Sequence, residues 1–385
     1  MEIDGGAVLR SFSALPPHLR RTLGPGLSER LIAAGRIQAA ASVRDAIARA
    51  PGDGGPALDL VEARVDLAAG DPKGGEGRLD ALASSNDPLA PEALILKIES
   101  RLQRNEAVEP RLADSAEALA FEQRAGENGP VLAALHLLAR ASIGDFSRAF
   151  AAIRDWPESS SPEIRGDTAV RLFRMLLDKA DDRTLVTSYF RHRHVFAAAT
   201  PDLLLRLGLA DRLATAGFAR EVRRVLEGEP ARTDRGRQIL ARAALVEFDP
   251  AAALDHITGL KTPEAEALAA EALAMAGDHT SAASLLEALG QTERAGLEAW
   301  RGGDRTAAAR FGPEPLRTAL SRLGAMSPAT PEGSANRGDA GNSASPGPLA
   351  AGRALVDQSR AAREALGALL SVADSATNIS HGPGG

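Results

Sequence analysis

Apolar positions recur along most of the chain at helical spacing, and short Gly-Asp breaks interrupt them before the pattern restarts. The stretch "IGDFSRAF", Ile143 to Phe150, is one such break. Related turns are "AAGRIQAA" at Gly35, "AAGDPKGG" at Gly70, "ATAGFAREV" at Gly217, "AMAGDHTSA" at Gly277 and "WRGGDRTAA" at Gly303. Two more lack the glycine: "DKADDRTL" anchored at Ala180 and "VEFDPAAAL" anchored at Phe248. From Gly35 onward the anchors are separated by 35, 74, 36, 37, 31, 29 and 26 residues, and the interval of 74 leaves room for a degenerate copy near Asn105. A period near 35 predicts stacked helical pairs. Glycine supplies the left-handed residue that ends one helix, and Asp or Thr caps the next by accepting a backbone N–H bond.

The residues flanking the anchors repeat as well. Five positions after each anchor stand Ala40, Gly75, Ala149, Leu185, Val222, Ala253, Ala282 and Ala308, all small or apolar. Nine positions after it come larger side chains, among them Leu79, Ile153, Tyr189, Leu226, Ile257 and Leu286. These two positions lie one turn apart on a single helix face, which predicts that both are buried. Seven positions before the anchor stand the small residues Ser28, Ala63, Ala210, Ala241, Ala270 and Gly296. This arrangement resembles the tetratricopeptide repeat family, most closely in "IGDFSRAFAAI", "AGDHTSAASLL" and "AGFAREVRRVL". The resemblance spans roughly Leu27 to Phe311 and implies an all-α, right-handed α-solenoid of tetratricopeptide-like hairpins. The chain departs from the family where helix A lacks its Trp and Tyr, and where Leu137 and Phe173 stand in place of a small residue.

Residues 1–26, with Pro16 and Pro17, are expected to cap a repeat domain over 27–325. The linker 326–348 holds "SPATPEGSANRGDAGNSASPGP", which has too little apolar surface to order itself. Helical patterning returns over 349–374, and 375–385 reads as a frayed terminus. In that C-terminal helix Leu355, Ala362, Leu366 and Leu369 share one face, opposite Arg353, Asp357, Arg360 and Glu364. Such a face needs a cover: the chain's own repeats in an intramolecular docking, a partner's groove, or a membrane surface, the last disfavoured by the balanced charge of the polar face.

Composition supports an all-α reading. Alanine supplies 77 of the 385 residues and aromatics only 3%, and alternating β-branched segments are hard to find. The formal charge of −6 argues against a general nucleic-acid binder. Of the 45 basic residues 41 are arginine, which fits GC-rich bacterial coding as well as bidentate recognition of anions. Without cysteine there is no disulfide or thiolate site. The acidic start of "MEIDGGAVLRSF" is unlike a signal peptide, so the expected compartment is the cytoplasm, or the periplasm if the native chain begins upstream. No stretch is long and apolar enough to predict stable membrane insertion.

The common phosphate, dinucleotide, zinc-protease and serine-hydrolase motifs are absent, and no cofactor or metal site is expected. His192 and His194 are two residues apart, on opposite sides of a helix, and cannot chelate one ion. Their stretch, "SYFRHRHVF", admits three readings: a buried stripe of Leu185, Tyr189, His192 and Phe196, a protein-binding patch, or an RNA patch using Arg191 and Arg193. "KTPE" at Lys261 is a helix start, with Thr262 as cap and Pro263 at the first position. The expected function is a non-enzymatic protein–protein interaction scaffold holding a peptide or protein partner in the solenoid groove. Candidate contacts are Arg171, Arg174 and Arg212 on the first helices of the hairpins, with Tyr189 and Arg193. The alternative expectation is a structural subunit or assembly factor of a bacterial envelope, secretion or motility complex.

Overall fold

The computed structural model describes residues 5–51, 54–126, 129–154, 156 and 162–326, together with Arg353, Val356, Asp357, Ser359, Arg360, Arg363, Glu364 and Gly367 in the tail. Among them there are α-helices and a single 3-10 turn but no strand. The chain divides after Leu205 into two compact units. The first contains α1 (Gly5–Ser13), α2 (Pro17–Ala33), α3 (Ile37–Ala48), α4 (Gly55–Ala68), α5 (Pro72–Ala83) and α6 (Ala90–Gln103). It continues with α7 (Pro110–Glu122), α8 (Gly129–Ser142), α9 (Phe146–Arg154), α10 (Pro162–Lys179) and α11 (Asp182–Ala198). The division falls inside α12 (Leu203–Thr215). The second unit then holds α13 (Ala219–Val225), α14 (Asp234–Val246), α15 (Pro250–Ile257), α16 (Pro263–Met275), α17 (His279–Ala288), α18 (Thr292–Arg301), α19 (Arg305–Phe311) and α20 (Glu314–Met326).

Most consecutive helices pack as neighbours within each unit. In the first, α2 lies on α3 and α4, α4 on α5, and α5 on α6; the alternate helices α2, α4, α6, α8 and α10 also touch in sequence. In the second, α14 to α20 pack each on the next, and α14 also meets α16. This is a helical-repeat-like architecture.

The turns explain the repetition. All six glycine anchors have positive φ, from 72° at Gly35 to 87° at Gly217 and Gly277. At Gly277 the amide donates to the Ala274 carbonyl at 3.1 Å and the next amide, of Asp278, donates back to Leu273 at 2.9 Å. That hydrogen-bond pair is the Schellman closure of a helix end. It recurs at Gly35, Gly70, Gly144, Gly217 and Gly303. The same pair forms at Asn105 and Phe248, with φ of 57° and 59°. Asn105 is therefore the degenerate copy that the spacing left room for. Ala180 differs: it has no positive φ, and its amide closes an ordinary helical bond to Leu176. The following aspartates cap the second helices, Asp71 accepting from Gly74, Asp181 from Thr184, Asp249 from Ala252, Asp278 from Ser281 and Asp304 from Ala307.

The flanking positions form the core. Every residue five after an anchor is buried, and the larger ones nine after it, Leu79, Ile153, Tyr189, Leu226, Ile257 and Leu286, are at most 5% exposed. The small residues seven before the anchors are buried too, which lets backbones approach: a Cβ on Gly296 would collide with the Gly312 backbone. Phe173 occupies the same place in α10 and builds with rings instead, lying 5.0 Å from both Phe150 and Phe196.

One expected boundary falls inside a helix. The helix leading into Gly35 begins at Pro17 and runs across the 26/27 boundary, because Pro17 sits at the first helical position and α2 continues through Pro25. The linker and the terminal residues, and with them Leu355, Ala362, Leu366 and Leu369, lie outside the described residues. The tail residues that are described are helical and exposed, and Glu364 reaches Arg322 of α20 at 3.4 Å.

Candidate functional site

The first helices of three consecutive hairpins in the first unit, α2, α4 and α6, enclose a groove of about 370 Å³. α2 contributes Glu29, Ile32 and Ala33, α4 contributes Arg64, Leu67 and Ala68, and α6 contributes Leu96, Glu99, Ser100 and Gln103, with Arg104 just beyond it. Spacings of three and four residues bring each set onto one face of its helix. The hairpins share a register, so Glu29, Arg64 and Glu99 occupy one repeat position, six residues before the anchors Gly35, Gly70 and Asn105.

That position forms a row of charges. Arg64 reaches Glu29 at 3.6 Å and Glu92 at 2.6 Å. In the second unit the equivalent Asp211 and Arg242 pair directly, and Asp211 also takes Arg235 at 2.6 Å. Glu99 is the exception within the groove: half-buried, it has no ion pair among the described residues. Burial raises its pKa above the ordinary glutamate value, while the fields of Arg171 and Arg64 act in the opposite direction. One helix away Glu76 shows the contrary balance. Burial again acts upward, but hydrogen bonds from Arg101 and Arg104 outweigh it and hold the carboxyl below its usual range. Lys97 and Arg140 are buried in ion pairs to Asp80 and to Asp114 and Glu117, so these cations are committed to joining helices.

The five proposed contact residues do not form one cluster. Arg171 is exposed on α10 and close enough to act on Glu99 through its field. Arg174, also exposed and six residues before the anchor Ala180, pairs with Asp202. Tyr189 is 2% exposed, with its ring 5.8 Å from Phe196, and offers no surface to a partner. Leu185 and Phe196 are buried beside it and His192 stacks on Phe150 at 4.6 Å, so the stripe in "SYFRHRHVF" is core. Arg193 is exposed on α11 and lines neither the groove nor any part of it. Arg212 is half-buried in the second unit. Glu29, Arg64 and Glu99 were not among the residues singled out from the sequence, although their shared offset from the anchors was a usable signal.

Among the described residues no group of three or more His, Cys, Asp or Glu side chains has the arrangement of a metal site. No helix there is long and apolar enough to cross a membrane. No protein-family model, curated protein or solved structure matches the chain.

Proposed function

We propose that the chain is a right-handed solenoid of tetratricopeptide-like hairpins and serves as a non-enzymatic scaffold that binds a peptide segment of a protein partner in the groove on α2, α4 and α6. One observation carries this reading: Glu99 is a partly desolvated carboxylate with no ion pair among the described residues, beside the apolar floor of Ile32, Leu67 and Leu96. A peptide that sets an aliphatic side chain on that floor and a Lys or Arg against Glu99 would bury apolar surface and supply the missing cation. A repeat surface presents such subsites in series, which suits an extended ligand.

The test is selection of a displayed random-peptide library on the full chain. The expected winners carry a basic residue next to an aliphatic one, and Glu99→Lys weakens their binding by at least about tenfold. Glu271→Lys, at the same repeat position but exposed in the second unit, leaves binding unchanged. Winners indifferent to Glu99→Lys, or a library from which none emerges, overturn the proposal. Self-association of the chain into a fixed assembly, with no peptide bound, would favour a structural subunit instead.

A further inference from the structure

A second cavity, of about 270 Å³, lies between α9 and α11 in the first unit. Its chemistry differs from that of the groove. Arg183, Thr184, Thr187, Ser188 and Arg191 line it from α11, and Ser147 faces them from α9. Among the described residues no carboxylate lines it, and neither Arg183 nor Arg191 has an ion-pair partner. Ser147 donates to Asp145, the cap of α9, at 3.3 Å.

The spacing concentrates these donors. Arg183, Thr187 and Arg191 follow one another at four-residue intervals, and Thr184 and Ser188 run alongside, so all five share one face of α11. The two arginines are two turns apart, about 12 Å along the axis. Side chains of that length can converge on a group seated over Thr187 and Ser188 between them. The inner wall is the half-buried His192 ring, stacked on the buried Phe150 ring at an interplanar angle of 12°. His192 also breaks the regularity of α11, with φ −116° and ψ 18°.

We propose that this cleft is a binding site for a phosphomonoester group. Two guanidinium forks and several hydroxyls exceed what the two oxygens of a carboxylate can use, whereas the three terminal oxygens of a phosphate ester accept from all of them. The aromatic wall lies where the ester's carbon substituent would rest. The site is separate from the groove on α2, α4 and α6, and its occupancy does not depend on a peptide being bound there.

Calorimetric titration of the full chain with inorganic phosphate and with phenyl phosphate tests the assignment. Saturable binding of phenyl phosphate is expected, weakened by about tenfold or more in Arg183→Ala and in Arg191→Ala and lost in the double variant. Both arginines lie on an exposed helix face, and circular dichroism of each variant verifies the fold. Arg193→Ala removes the same charge from the same helix outside the cleft and should change affinity less than about twofold. Tighter binding of phenyl phosphate than of inorganic phosphate would show the aromatic wall in use; equal affinities would show a site that recognises the phosphate alone. Absence of saturable binding in the millimolar range, or equal weakening by Arg193→Ala, overturns the proposal.

Discussion

The turns at Gly277 and Phe248 solve one problem with different residues. Both close a helix end with the same pair of backbone hydrogen bonds, and both hand over to an aspartate that caps the following helix. Both also hold their central residue in the left-handed region, at φ 87° for Gly277 and 59° for Phe248. Glycine adopts that conformation without strain, while phenylalanine does so at a cost of about 1–2 kcal/mol. Phe248 recovers little by packing, since it is 81% exposed. The hairpin is therefore fixed by what its helices bury and by the hydrogen bonds at the turn. Glycine relieves a strain that this burial can otherwise overcome.

If burial sets the hairpin, truncating the residue nine positions after each anchor should produce the largest effect, and a similar one in both. Ile257→Ala and Leu286→Ala should each destabilise by about 2–5 kcal/mol, since both side chains are at most 5% exposed. Urea denaturation of the full chain measures this; a loss confined to one of the two would break the equivalence. Overpacking the small position comes next. Ala253 and Ala282 are fully buried, and Ala253→Leu or Ala282→Leu should cost about 1–3 kcal/mol because extra methylenes in a packed core force neighbouring groups to shift.

The turns themselves should respond with opposite signs. Gly277→Ala forces a Cβ into the left-handed region and should cost about 1 kcal/mol. Phe248→Gly releases the strain, less the extra freedom that glycine gives the unfolded chain, for a net gain of about 0.5–1 kcal/mol. Loss of stability in Phe248→Gly would mean that the exposed ring makes a contribution its surroundings do not reveal.

Much of the architecture was legible because repetition amplifies weak signals. A lone Gly-Asp says little, but the offsets five and nine after the anchors marked positions that are buried in every hairpin where they were identified. Asn105 and Phe248 could be placed without glycine because the register carried them. The start of α2 was less legible, since Pro25 resembles a breaker. Its missing N–H removes only one helical bond, which packing of Gly24, Ser28 and Leu31 can offset. The charged row in the groove was hidden for another reason. Glu29, Arg64 and Glu99 are far apart in the chain, and they become neighbours only when three hairpins stack in register. Tyr189 shows the converse: a rare aromatic among arginines looks like a surface patch until α9, α10 and α11 close around it.

The smallest expected effect concerns the cap and depends on pH. The hydroxyl and then the amide of Ser281 hydrogen-bond to the Asp278 carboxylate and hold its pKa below the ordinary aspartate value of 3.8. A carboxyl with a depressed folded pKa stabilises the fold above its unfolded pKa, and that contribution is lost as pH falls through the folded value. Asparagine caps a helix about as well but does not titrate. Asp278→Asn should therefore match the parent chain near neutral pH, and its urea midpoint should decline less than the parent's once the pH drops below about 4. Plotting the difference between the two midpoints against pH isolates this carboxylate from every other group that titrates in the same range. A flat difference would mean that Asp278 caps α17 equally well with and without its charge, leaving the Schellman pair at Gly277 to hold the turn.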